Sequence, residues 1–244
     1  MKKSAQFLPL SLILSTASIA LASPITLYYE NRAPFTYLQD GELVGSEGKV
    51  ASEAFREAGI DFTLSEAPGA REIDMVGKNF EATCAVGIYR TADRDRSGKF
   101  TLPISIKQAK VVVIRADNPK INSYTTLSDL LADPTISLVM RNGYSYGTQV
   151  DDMLDQAKAH LKRPSESSYG RTKMVLEGMA DGALFTPQEA DYQIHQFGEA
   201  GKLLVSLRFT DSPAGEPSYI YCTKSVDDSM IGKLNDFLKK HPAN

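Results

Sequence analysis

Tryptophan is absent from the 244 residues, histidine occurs three times and cysteine twice. Two cysteines are too few for a disulfide-built mini-scaffold, and the chain is long enough to bury a core of its own as one or two domains. His160, His195 and His241 show no ligand spacing with one another or with Cys84 and Cys222, so no metal site is expected and no cofactor is read from the chain. A basic surplus is also missing: 27 Lys and Arg stand against 30 Asp and Glu, which excludes a nucleic-acid partner. With 42% hydrophobic and 23% charged residues, the composition fits neither a disordered chain nor a polytopic membrane protein.

One apolar run stands apart. Lys2 and Lys3 precede the stretch Leu8 to Ala22, which ends in Ala20-Leu21-Ala22. This is the pattern of a secretory signal with an A-x-A cleavage site. A membrane span is the competing reading, but the run is short and carries Ser11, Ser15, Thr16 and Ser18. Cleavage after Ala22 leaves Ser23 rather than a cysteine at the new start, so a soluble, exported product without a lipid anchor is expected. In an oxidising compartment Cys84 and Cys222 can pair, or they can remain as two buried thiols.

Past that point strands alternate with helices. Ile25 to Tyr29, Ile60 to Leu64, Cys84 to Ile88, Lys110 to Ile114, Ile136 to Met140, Ala183 to Phe185, Leu203 to Phe209 and Tyr219 to Cys222 read as strands. Helices are expected over 46–58, 69–78, 127–132 and 170–180, and from Pro187. Another is read through Val150, Met153, Leu154, Ala157 and Leu161, and a last one from Ser225 with Asp228 completing a capping box. The alternation predicts an α/β protein with parallel-rich sheets and no flexible linker.

Gly143-Tyr144-Ser145-Tyr146-Gly147 matches G-x-S-x-G between a strand and a helix, the context of a nucleophile elbow. A secreted serine hydrolase using Ser145 is therefore one reading, with Asp181, Glu189 or Asp191 and then His195 or His241 as partners. Against it, only 99 residues follow Ser145, and no HGGG-type segment precedes it. The same residues also describe an anion-binding helix start, with Ser145 as N-cap and Arg141 just before the turn.

Arginines gather at positions 71, 90, 94 and 96. A guanidinium beyond the carboxyl end of a buried strand stands where open α/β sheets take ligands, and it forks onto a carboxylate. The alternative is that Asp93 and Asp95 pair with these arginines on a solvated loop.

Taken in order, the motifs resemble the bacterial periplasmic solute-binding proteins of the amino-acid-binding, family 3 type, which serve ABC transporters. Pro34-Phe35 is similar to the family's P-P-F. Asp40-Gly41 to Gly45 is similar to D-G-x-x-x-G. Thr91-Ala92-Asp93-Arg94 with Phe100-Thr101-Leu102-Pro103 is similar to T-x-x-R followed by F-S-x-P. Gly143-Tyr144-Ser145 falls at the G-T-T turn, Gly178-Met179-Ala180-Asp181 at G-R-x-D, and Asn235 in the last helix also fits.

The resemblance implies two lobes closing on a small carboxylate-bearing, amino-acid-like ligand. Lobe 1 would combine 24–109 and 222–244, lobe 2 would be 115–217, and the hinges would lie near 110–114 and 218–222. It implies a periplasmic monomer, not an enzyme, partnered by an ABC permease in the inner membrane. A sensor or accessory protein of the same fold is the further alternative. Arg94 would clamp the carboxylate. Gly87, Tyr89 and Thr91 would line the strand end with Arg71 nearby, Tyr29 and Arg32 would come from the first strand and its loop, and Arg141, Tyr144 and Ser145 from lobe 2. The family's ammonium-binding Asp falls at Thr186 here, beside a first strand ending in Tyr29-Glu30, so ligands other than the common amino acids are expected. By the family's layout Cys84 and Cys222 lie on neighbouring strands and form a disulfide.

Overall fold

The computed structural model describes residues 23–243, and the export signal read over 1–22 lies outside the described residues. The first sheet has the order β4-β1-β5-β12-β6, from Phe62–Glu66, Ile25–Tyr29, Thr83–Tyr89, Pro217–Thr223 and Gly98–Ile106. The second has the order β11-β7-β10-β8-β9, from Leu204–Arg208, Val111–Arg115, Gly182–Phe185, Ser137–Val139 and His160–Lys162. A two-stranded hairpin, β2 (Tyr37–Gln39) and β3 (Glu42–Val44), turns at Asp40-Gly41. Helices α1 (Gly48–Glu57), α2 (Gly69–Lys78), α3 (Ala92–Ser97) and α8 (Asp228–Lys240) belong with the first sheet. Helices α4 (Leu127–Ala132), α5 (Thr148–Asp155), α6 (Ser168–Leu176) and α7 (Pro187–Gln196) belong with the second.

Each sheet is covered on both faces, which is why β5 is buried at every position. The apolar clusters keep to one sheet each. Leu27, Phe55, Val86 and Leu234 pack in the first, and Val112, Leu130, Leu138 and Val150 in the second. Two lobes thus have separate cores. The chain crosses between them twice, at 107–110 and at 209–216, while 111–115 and 217–223 are full members of the sheets they enter.

The sheets are mixed rather than parallel throughout. β12 runs antiparallel to both β5 and β6, and β7 antiparallel to β10 and β11. A strand arriving from the other lobe needs no crossover helix on its own sheet, so nothing forces it to be parallel. Two local readings change for related reasons. The helix through Val150 ends at Asp155, and Leu161 lies in β9 against β8, because the amides of Lys158 and Ala159 both donate to the Leu131 carbonyl at 2.8 and 3.0 Å. The last helix is capped by Asp227, whose carboxylate accepts from the Ser229 amide at 2.7 Å, and not by Ser225. Phe100 to Pro103 lies inside the long strand β6, where Pro103 is tolerated because β6 is the sheet edge.

Cys84 and Cys222 sit directly opposite each other on β5 and β12 and form a disulfide. Thiol titration of the denatured, unreduced protein should find no free thiol. Reduction should remove roughly 2–4 kcal/mol of stability by freeing the unfolded chain. Two titratable thiols in the native product would contradict the pairing.

Candidate functional site

The carboxyl ends of β1, β5, β8 and β10 converge on the gap between the lobes, the place where open α/β sheets hold ligands. From the loop after β1 come Glu30 and Arg32, from α3 after β5 comes Arg94, and from the segment after β8 come Arg141, Tyr144 and Ser145. Two cavities occupy the gap. Both are narrow. The first is lined by Glu30, Arg32, Glu72, Gly87, Tyr89, Arg94, Tyr144 and Ser145, among others. The second is lined by Arg32, Phe35, Tyr89, Lys107, Lys110, Arg141, Tyr144, Arg171, Thr186 and Glu189, among others. Arg32, Tyr89 and Tyr144 line both and form the wall between them.

The lobes touch through side chains at this wall. Arg32 donates to the Tyr144 hydroxyl, and its guanidinium lies 5.2 Å from the Tyr144 ring centre. Arg141 pairs with Glu30 across the gap. Gly143, at φ +67°, lets the second lobe approach helix α2: a β-carbon there would stand 3.1 Å from that of Ala70.

Beneath the wall is a fully buried carboxylate. Glu47 takes Lys107 at 2.6 Å, Arg32 at 3.5 Å and the Ser218 hydroxyl. Burial works to raise its pKa, but the charges of Lys107 and Arg32 outweigh burial and hold it below the usual carboxylate range. Gly87 is required here, since at φ +78° any β-carbon would meet the Glu47 carboxylate at 2.7 Å.

Two other buried groups, Glu72 and Lys110, have no such neutralisation, whereas Glu189 has. Glu72 is 1% exposed, its Oε1 has no partner, and burial pushes its carboxyl up to about 8. Lys110 is 5% exposed and donates to the Tyr89 hydroxyl at 2.9 Å, and burial pushes its ammonium down to about 7. Glu189 accepts from Ser168 at 2.6 Å and lies 3.7 Å from Arg171. Burial opposes its charge, yet Arg32 and Arg171 outweigh it and keep the carboxyl low.

The structure brings most of the expected residues together. Gly87, Tyr89, Arg94, Arg32, Tyr144 and Ser145 line the first cavity, and Arg141 and Thr186 the second. Arg94 is half-buried and donates to the Tyr89 carbonyl at 2.7 Å. Thr91 stands behind it as the N-cap of α3, accepting from the Arg94 amide at 3.3 Å. Tyr29 is a core residue whose hydroxyl faces Glu66 at 3.4 Å, and Arg71 is exposed; neither lines a cavity. Arg90 pairs with Asp95 at 2.7 Å and Arg96 with Asp93 on the surface, as the solvated-loop reading has it for those two.

The turn at 143–147 differs from both sequence readings. Helix α5 starts at Thr148 with Gly147 as N-cap, so Ser145 is not its cap. Its hydroxyl donates to Asp151 at 2.5 Å and accepts from the Gly147 amide at 3.2 Å. No histidine lines the cavity that Ser145 lines; the His195 ring bonds the Asp191 carbonyl at 2.7 Å and His241 stacks on Phe237. Among the described residues no group of three or more His, Cys, Asp or Glu is placed to hold a metal ion. Glu47, Glu72, Lys107, Lys110 and Arg171 were not legible as site residues, because each stands in a charged helix or beside a strand like any solvated side chain.

The model of the bacterial extracellular solute-binding proteins, family 3, matches residues 25–244. The arginine-, lysine-, histidine-binding protein ArtJ from the thermophilic bacterium Geobacillus stearothermophilus shares the fold with a TM-score of 0.72 at 18% identity, over 89% of each chain. An ancestral arginine-binding protein bound to arginine gives 0.71 at 18% identity, over 89% of this chain and 91% of its own. A structure concerned with glutathione import via GshT and the cystine ABC importer TcyBC of Streptococcus mutans gives 0.71 at 18%, over 90% and 89%. No curated protein matches in sequence. At such identities the likeness establishes the two-lobed fold and nothing finer.

Glu72 gives this site a measurable pH signature. Its carboxyl titrates near 8 in the fold against 4.5 unperturbed. The folded protein therefore holds a proton that the unfolded chain has released, so this contribution to stability is full below pH 4.5 and is lost as pH rises towards 8. Glu72→Gln cannot titrate. Urea unfolding at pH 5 and pH 8 should show the variant gaining stability relative to wild type at the higher pH; an unchanged difference would contradict the burial of an unpaired acid.

Proposed function

The chain belongs to the bacterial extracellular solute-binding proteins of family 3, and on that premise we propose that it captures a small, amino-acid-like carboxylate in the gap between its lobes and delivers it to an ABC permease of the inner membrane. It works as an exported, periplasmic monomer and performs no chemistry on its ligand. Among the described residues no helix is long and apolar enough to cross a membrane.

The observation that carries this reading is that Arg94 and Glu72 stand on the lining of one cavity. Arg94 is anchored through one Nη to the Tyr89 carbonyl, and its other guanidinium nitrogens bond no protein group among the described residues. A carboxylate leaving water needs a charge-assisted, preferably forked partner, and this guanidinium offers one. On the same lining, Glu72 is a buried acid without a partner, suited to an amine. With Thr186 in the place of the family's Asp, the amine is taken from the first lobe instead. A ligand held by Arg94 and touched by Tyr144 and Ser145 contacts both lobes, so it stabilises the closed state by differential contact, with 107–110 and 209–216 as the hinges.

Titration calorimetry with an amino-acid panel tests this. Arg94→Ala should weaken whichever amino acid binds by roughly 2–5 kcal/mol, at least about thirtyfold. Arg94→Lys should lose most of that affinity, because a point charge cannot replace the fork. Arg90→Ala and Arg96→Ala should bind as wild type. Wild-type affinity in Arg94→Ala would sink the assignment.

Binding an amine beside Glu72 should also release a proton at pH 7, seen as a dependence of the binding heat on buffer ionisation enthalpy. A buffer-independent heat would remove Glu72 from the site. For Ser145, a fluorophosphonate probe should leave the protein unlabelled; stoichiometric labelling there would restore the hydrolase.

A further inference from the structure

The second cavity carries a charge imbalance that the first does not explain. Five cationic side chains line it, Arg32, Lys107, Lys110, Arg141 and Arg171, against one lining acid, Glu189. Two further carboxylates reach these cations from outside the cavity: Glu47 holds Lys107 and Arg32, and Glu30 holds Arg141. Three acids therefore face five cations.

The surplus has an address. Lys110 is buried, its only hydrogen bond is to the Tyr89 hydroxyl, and among the described residues no acid lies within 4.0 Å of it. Arg171 is 2% exposed and has Glu189 at 3.7 Å, but its Nε has no partner among the described residues. A buried cation left unneutralised, as Lys110 is, opposes folding, and an anion in the space it lines removes that cost. The Lys110 amine also sits 5.2 and 5.8 Å from the ring centres of Tyr89 and Tyr146, and Glu189 of the same lining acts on its charge only from beyond 4.0 Å.

We infer that the second cavity is an anion subsite formed chiefly by Lys110 and Arg171, and that the ligand is a dicarboxylic amino acid whose side-chain carboxylate seats there. This rests on the amino-acid reading of the first cavity. Arg32, Tyr89 and Tyr144 line both cavities, so the distance between subsites is one side-chain wall, and a ligand only a few carbons long reaches across it once the Arg32–Tyr144 contact opens. The same cations repel an amino acid with a basic side chain, and a neutral amide leaves them unneutralised.

Calorimetry on the purified protein decides the matter with L-glutamate, L-aspartate, their amides L-glutamine and L-asparagine, L-arginine, glutarate and inorganic phosphate. Glutamate or aspartate should bind at least about tenfold tighter than its amide and tighter still than arginine. Lys110→Met should shrink that ratio to threefold or less, and Arg171→Gln should do the same, so that a folding defect in one variant does not remove the test. An amide or arginine bound as tightly as the diacid overturns the subsite and leaves the amino-acid reading standing. Glutarate or phosphate bound through Lys110, with no amino acid bound, overturns the amino-acid reading and identifies a site for simple anions. Silence across the panel overturns both.

Discussion

One buried carboxylate organises the region where the two lobes meet. Glu47 at the start of α1 holds Arg32 from the loop after β1, Lys107 from the outgoing crossing and Ser218 from the returning strand. It thereby joins segments far apart in sequence at the point where the chain passes between lobes. A carboxylate this deep is tolerated because two cations and a hydroxyl surround it, and removing the carboxylate would strand both buried cations. Its position also dictates Gly87 on β5, and through Arg32 it sets the partition that separates the cavities. The candidate site is therefore built around a carboxylate that itself lines neither cavity.

The electrostatics of the gap are uneven by design of the backbone. Acids that face the first cavity come from the first lobe, Glu30 and Glu72. The cations of the second cavity come from both lobes and from the crossing, where Lys107 and Lys110 lie. Where a cation meets an acid across the gap, as Arg141 does Glu30, the pair fastens the lobes to each other. Where it meets none, as at Lys110, the charge is held beside tyrosine rings and a hydroxyl, an arrangement that keeps it in place without neutralising it.

Much of the fold was legible because local pattern and tertiary setting agree. Helix α2 over 69–78 and the buried strand around Cys84 follow from spacing alone, and the surface pairs of Arg90 and Arg96 follow from the acids beside them. What failed was whatever a distant residue decides. Leu161 satisfies a helical spacing and a strand equally, and only the Leu131 carbonyl settles which. Ser145 looked like a cap, but Asp151 reaches back to it from within the helix. Glu72 lies in a helix studded with Arg71, Asp74 and Lys78, where a charged residue is ordinarily solvated; nothing local says that its face of the helix is turned inward. Arg94 could be placed beside the gap because its position past a strand end carries chemical meaning by itself, whereas the burial of Lys110 beside Tyr89 and Tyr146 is decided by residues distant in sequence.

The disulfide has a topological consequence. Cys84 and Cys222 are 138 residues apart, and every strand of the second sheet lies between them. The whole second lobe is therefore a covalent loop whose neck is fastened inside the first. A protease cutting any exposed turn of that lobe would open the loop without releasing either half, and the two pieces would travel as one molecule until the bond is reduced. The bridge joins two strands of one sheet, so it closes this loop without tying one lobe to the other.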